Sequence, residues 1–488
     1  MDGSGTGPAL RQNDAPVPVV LTRRTDLDLE VYRRVAWQNE PVELSPEALA
    51  RIGECRRSFM TLVESDADLF VYGVTSGYGE RARIRLTPDQ RKAQAADPPR
   101  WPDAAFGEPA PERVARGIVL ARLANFLEGH AAVRPELAQA VAAMLDDAPL
   151  PELPLHGHGD AGEIVALSRL FGDLGAHVGL EEKEALALVN GSPCAAALLA
   201  DAALAGRNRL RLAHDVFALS VEALAAPLEA YAPELAELWG DPDEAEALGE
   251  IGARLEGASS DRRPYQAPVS YRILPRILGE AHRAVAAAET AALTSLRSVS
   301  DNPVYLPPDG AHPLGRVWST GGYHNGMAAP ALDRLGSTWA NLCQLAERHG
   351  ERLVHEGQMN PERSQRGLGS LLMVQIGHSE RARTAAQPTI LPRGGFAQND
   401  VSAPGFLAWA KEREAGSAVV DCLALLAVLA SQALHDDDRE PAPPLRPFLA
   451  EVRELFPPLE QLRGVGDSCG RVASAFAARV TPGGPRRP

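Results

Sequence analysis

LAWAKEREAGSAVVDCLALLAVLASQALHDD (407–437) opens with charge on one side of a helical repeat and ends apolar all round. A helix that is apolar on every face has to be surrounded by other elements, so this segment belongs at the centre of a bundle. Working outward, the segments 195–240, 277–300 and 327–356 are also alanine-rich, with leucines at three- and four-residue steps. Helices of that length exceed the average and suit bundle packing. Strand signal is confined to brief stretches such as LFVYGV (69–74), and no short-period repeat is visible. The predicted class is all-α, a long central helical bundle with a mixed N-terminal region.

A chain of 488 residues that is 45% apolar can bury a large core, and its length implies two to three domains. The expected divisions are a disordered tail over 1–20, an N-terminal domain over 21–205, the bundle over 206–440, and a helical segment with a disordered tail over 441–488. Residues 93–114, rich in proline and alanine, read as a loop. The formal charge of −15 argues against a nucleic-acid or anionic-membrane surface, which needs a basic patch. Five scattered cysteines without a C-x-x-C pair fit neither a disulfide framework nor a zinc module. With no leader-like opening and no apolar run long enough to span a bilayer, a cytoplasmic protein is expected.

Seven ordered stretches carry a resemblance. They are VYGVTSGYG (71–79), LANFLEGHAAVRPEL (123–137), ALALVNGSP (185–193), QAPVSYRILPRILG (266–279), SDNPVY (300–305), GGYHNG (321–326) and QNDVSAPG (398–405). In content and order they resemble the aromatic amino acid ammonia-lyases, the family of the histidine, phenylalanine and tyrosine enzymes. The resemblance implies an L-aspartase/fumarase-like bundle and a homotetramer whose sites each draw on three chains. It also exposes a loss. Where the family reads G-S-V-G-A-S-G-D-L-A-P-L-A-H, this chain reads HGHGDAGEIVALSR (156–169). The family's Ala-Ser-Gly cyclises and loses the serine hydroxyl as water, giving a methylidene-imidazolone electrophile. Ala161 stands at the serine position with a methyl group, so this cofactor is not expected here.

The resemblance assigns roles residue by residue. Tyr72 matches the lid tyrosine that acts as acid/base at the substrate β-carbon; on its own it reads as a packed aromatic. Tyr78 reads as packing. Asn190 matches the asparagine that orients substrate, and a buried amide there could equally pin the loop of 155–162. Arg272, in the frame S-x-R-x-x-P, matches the arginine that pairs with the substrate carboxylate, a task suited to a planar guanidinium; the alternative is a structural ion pair. Val269 replaces the family's second tyrosine, and Gln398 replaces the acidic residue near the substrate amine. Tyr323, His324 and Asn325 replace asparagine, phenylalanine and histidine of the G-N-F-H-G frame, which makes His324 a candidate general acid/base and Asn325 a candidate substrate ligand.

Asp160 has two readings. D-A-G-E is capping-box-like, with Asp160 accepting amides of the next helix and Glu163 reaching back. Alternatively Asp160, with His156 or His158, is a new acid/base pair. His156-x-His158-x-Asp160 also has the alternation of a metal triplet on an extended strand, but no fourth ligand accompanies it and no metal is expected.

General acid/base catalysis alone supplies about 10²–10⁴-fold, too little to replace a covalent electrophile in ammonia elimination from an unactivated amino acid. The expectation is therefore acid/base elimination, addition or cyclisation on an activated carboxylate-bearing small molecule, in specialised metabolism. Tyr72, His324 and Asp160 would move protons; Arg272, Asn190, Asn325 and Gln398 would bind substrate. The alternatives are an inactive binding or scaffold tetramer, and a lyase whose prosthetic group arises by oxidation of Ala161.

Overall fold

The computed structural model describes residues 17–96, 103–146, 149–359, 368–395, 398–462 and 464–482. Four long helices, Pro193–Leu224, Leu274–Leu296, Ala328–Met359 and Gly405–Asp436, pack against one another and form the centre, so the all-α bundle is observed. The Gly405–Asp436 helix is buried almost continuously from Ala415 to Leu434, as its all-round apolar sequence requires. It and the segment Glu184–Leu224 are long and apolar enough to cross a membrane, but 94% of each apolar window is buried inside the molecule, so both are core helices.

One buried carboxylate inside the bundle is paired across helices. Glu412 accepts from Arg209 Nη1 at 2.6 Å and from Trp339 Nε1 at 2.8 Å, so one buried carboxylate joins three of the long helices. Breaking such a pair leaves an uncompensated charge and is strongly destabilising, which ties the register of the three helices to this point.

The departures from expectation have local causes. The first long helix stops at Leu224, well before residue 240, because Ala225 turns left-handed (φ 54°) and Pro227 follows. A further helix, Pro242–Arg254, then begins behind an Asp241 side chain that accepts from Glu244 N. The helix Pro88–Ala96 runs into the stretch expected to be a loop, and Glu112–Leu127 begins at that stretch's far end; residues 97–102 lie outside the described set. Of the expected N-terminal tail, residues 1–16 also lie outside it, while Val19–Leu21 is a strand paired in parallel with Val42–Leu44. At the other end, helices Arg446–Leu455 and Val465–Val480 close the described chain against the bundle.

Candidate active site

The loop 155–163 is held from both sides by backbone hydrogen bonds. Ala403 N donates to Asp160 O and Gly191 N donates to Gly162 O, each at 3.0 Å. Gly162 (φ 69°) and Glu163 (φ 58°) are both left-handed, an unusual conformation for glutamate. A side chain at Gly162 would crowd its neighbours: an added Cβ would lie 2.3 Å from Asn190 Oδ1 and 3.6 Å from Tyr323 Cβ. Ala161, at the apex between Asp160 and Gly162, is 9% exposed.

The double left-handed turn redirects Glu163. In the capping-box reading it would reach back toward Asp160; instead its carboxylate accepts from Cys194 N at 2.6 Å and Ala195 N at 2.8 Å, the first turn of the Pro193–Leu224 helix. Those amides lack intrahelical partners and carry the positive end of the helix dipole. Burial pushes the Glu163 carboxyl up to about 7, with the two amides opposing. Asp160 behaves as half of the expected cap: its Oδ2 accepts from Val165 N at 3.0 Å, while its Oδ1 is buried without a partner. Burial raises the Asp160 carboxyl, with the Val165 amide opposing.

Asn190 ends the Glu184–Val189 helix beside this loop. Its Nδ2 donates to Asn302 O at 3.1 Å, and Asn302 Oδ1 in turn accepts from Thr320 N at 2.8 Å. The 300–305 motif thus fastens the 321–326 motif to Asn190 and places Tyr323 against Gly162. His324 is half-buried, its backbone N donating to Gly321 O at 3.0 Å. The Asn325 side chain is already engaged: Nδ2 donates to Ser295 Oγ at 2.9 Å on the Leu274–Leu296 helix, and Oδ1 accepts from Met327 N and Ala328 N at the start of the Ala328–Met359 helix. Asn325 therefore serves as a helix cap in this chain.

Tyr72 lies in a turn that rests on the helix leading to Asn190; a Cβ added to Gly73 (φ 66°) would lie 2.2 Å from Leu186 Cδ1. Gly79 N donates to Tyr72 Oη at 3.0 Å and fixes the phenol's direction. Burial pushes the neighbouring Tyr78 phenol up to about 12, Tyr72 adding to the effect. Arg272 is exposed at the end of the Val269–Arg272 turn, with Nε donating to Ala267 O at 3.0 Å, and Gln398 is exposed. Among the described residues, no hydrogen bond or ion pair joins Tyr72, Arg272 or Gln398 to the 155–163 loop. His156 is exposed, and His158 Nε2 is bound to Pro154 O at 2.7 Å.

Sequence reasoning missed the buried charges beneath the loop. Arg122 Nη1 donates to Ala187 O at 2.7 Å and Asn190 O at 3.1 Å, setting the backbone that carries Asn190. Lys183 Nζ meets Asp301 Oδ2 at 2.5 Å, both side chains fully buried. Only Arg122 left a signal, a charge inside the apolar stretch 118–127 where a buried charge demands a partner.

A buried helical bundle with a motif-bearing loop set on helix N-termini defines the class, a helical lyase fold. The chain belongs to the aromatic amino acid lyase family, whose pattern matches residues 27–178 and 173–454. It is 30% identical over 466 residues to the histidine ammonia-lyase of Streptomyces coelicolor, covering 86% of this chain and 88% of that protein. Its fold is that of the ergothionase of Treponema denticola, solved with desmethyl-ergothioneine sulfonic acid (TM-score 0.84, 18% identity, 96% of this chain and 100% of that one). It is equally that of the tyrosine aminomutase of Streptomyces globisporus (TM-score 0.81, 23% identity, 96% and 100%). The fold is thus the expected L-aspartase/fumarase-like bundle.

Proposed function

We propose that this chain is a lyase that works without a methylidene-imidazolone group, by proton transfer on a carboxylate-bearing small molecule. One observation carries the reading: the loop apex that would form the ring presents the Ala161 methyl group, flanked by an aspartate with one buried, unpartnered oxygen. A residue set without a hydroxyl to lose does not fit the ring, so no step is routed through it. The substrate then has to bring its own activation, an acidic C–H or a good leaving group.

In this reading Tyr72, Asp160 and His324 hold and move protons. Asn190 orients the substrate beside Gly162, and Arg272 clamps its carboxylate as a planar fork. Arg272 and Gln398 are exposed in the single chain, as expected if further copies complete each site. Exposed apolar residues on the helix Gly369–Ala385, Met373, Val374 and Ile376, and Leu407 on Gly405–Asp436 suit such packing in a homotetramer.

Two measurements test this. The intact mass should equal that of the unmodified chain; a deficit from backbone cyclisation or oxidation at residues 160–162 refutes it. Turnover of a panel of activated carboxylates should fall at least about 100-fold in Tyr72→Phe and Arg272→Ala; full activity in both variants rejects the assignment. The second reading is a non-catalytic binding tetramer. In that case a bound carboxylate leaves chemically unchanged.

A further inference from the structure

Behind the loop apex, His158, Asp160 and Glu163 enclose a cavity with Ala403 and Phe406. It has room for one water-sized molecule. Two acceptor atoms of its walls are buried without partners, Asp160 Oδ1 and His158 Nδ1. The tautomer of His158 follows from geometry: Nε2 lies 2.7 Å from Pro154 O, a carbonyl that can only accept, so the N–H is on Nε2 and Nδ1 carries a lone pair in the neutral ring. The ring is held in that orientation by stacking on Phe406, centroids 4.0 Å apart at 26°. Asp160 is held as firmly, through Val165 N on Oδ2 and Ala403 N on its backbone oxygen. Two fixed, buried polar atoms without partners are costly unless a molecule that both donates and accepts joins them: a water donates to His158 Nδ1 and, at Asp160 Oδ1, donates to the carboxylate or accepts from the carboxyl O–H.

We propose that one water molecule bridges Asp160 Oδ1 and His158 Nδ1, and that the proton of Asp160 is shared through it with His158, which makes His158 the positioning residue for the acid/base carboxyl at position 160. This rests on the reading of Asp160 as an acid/base given above. The balance is simple. The carboxyl proton passes from Oδ1 to the water as a water proton passes to Nδ1, so a neutral acid and neutral imidazole become a carboxylate and an imidazolium, with no change in total charge. The pair therefore titrates as a unit. The charged and titratable groups facing it are His156 on the same loop, Glu163 at the loop's end and the Cys194 thiol on the Pro193–Leu224 helix. The Gly405–Asp436 helix contributes the Phe406 ring to the cavity wall and no charge. Burial favours the neutral forms of both partners, raising Asp160 and lowering His158.

The test uses the intact protein without substrate. Deuterium exchange at the imidazole C2 carbon, followed by mass spectrometry, gives the titration midpoint of His158. In Asp160→Asn, which keeps the shape and the Val165 bond, that midpoint should move to lower pH by about half a unit or more. An unchanged midpoint overturns the proposal. Should that variant fold poorly, a high-resolution crystal structure of the wild type decides: one water within hydrogen-bond reach of both atoms supports it, and an empty cavity or a reoriented ring overturns it. Coupling with undiminished turnover in Asp160→Asn would sink the catalytic reading of Asp160 while leaving the shared proton standing. Lost turnover without coupling would do the reverse.

Discussion

Replacing Glu163 by glutamine probes the buried carboxylate on which the loop is seated. The folded chain holds this carboxyl at about 7 against an ordinary 4.5. At about 1.4 kcal/mol per pH unit, that gap is worth about 3 kcal/mol. The sign follows from linkage. Below pH 4.5 the group is protonated folded and unfolded, and its contribution is fully present; as pH rises through 7 the folded state loses the proton it had retained, and the contribution goes with it. Glutamine has no proton to lose and keeps an oxygen for one of the two helix amides. The wild type should therefore lose about 3 kcal/mol relative to Glu163→Gln between about pH 4.5 and about pH 8. Unfolding entropy of about 2.1 cal/mol/K per residue gives about 1 kcal/mol/K for the whole chain, so the melting-temperature difference should change by about 3 °C. Thermal unfolding of both proteins across that pH range measures it, and the difference cancels every titration they share. Parallel curves would refute the claim that burial of Glu163 sets this pH dependence.

Gly162→Ala should cost at least about 1–3 kcal/mol, since the new Cβ meets Asn190 Oδ1 and the position is left-handed. The double variant with Asn190→Ala should recover part of that loss in denaturant melts, and strict additivity would speak against the contact. Lys183→Met strands Asp301 in the interior and should destabilise by about 3–5 kcal/mol, whereas adding Asp301→Asn should restore a large share; equal stability of the single and double variants would count against the pairing. Asn325→Ala should cost about 1 kcal/mol through loss of the cap, read from the melting temperature. If it leaves stability unchanged but weakens carboxylate binding, Asn325 is a ligand.

Much of this was legible in residue order. The four long helices announced themselves by leucine spacing, and the helix ending at Asp436 by being apolar all round. Asn190 was read as either a substrate ligand or a pin for the loop, and the side chain does lie against Gly162. What escaped depended on direction and distance. Glu163 looked like the second half of a capping box, yet two successive left-handed residues swing its carboxylate onto a different helix. Asn325 was read as a substrate ligand, but its own turn engages the amide oxygen and Ser295, thirty residues away on another helix, engages the amide nitrogen. Lys183 and Asp301, 118 residues apart, are ordinary charged residues until the fold brings them together as a buried pair.

Residue order by itself determined that this is a helical lyase chain and that position 161 carries a methyl with no hydroxyl to lose, because periodicity and side-chain chemistry are written one residue at a time. Tertiary structure alone decided where the loop's charges point: Glu163 onto one helix, Asp160 onto another, and a water-sized space between Asp160 and His158. Burial and backbone handedness set those directions, and both are properties of the packed chain.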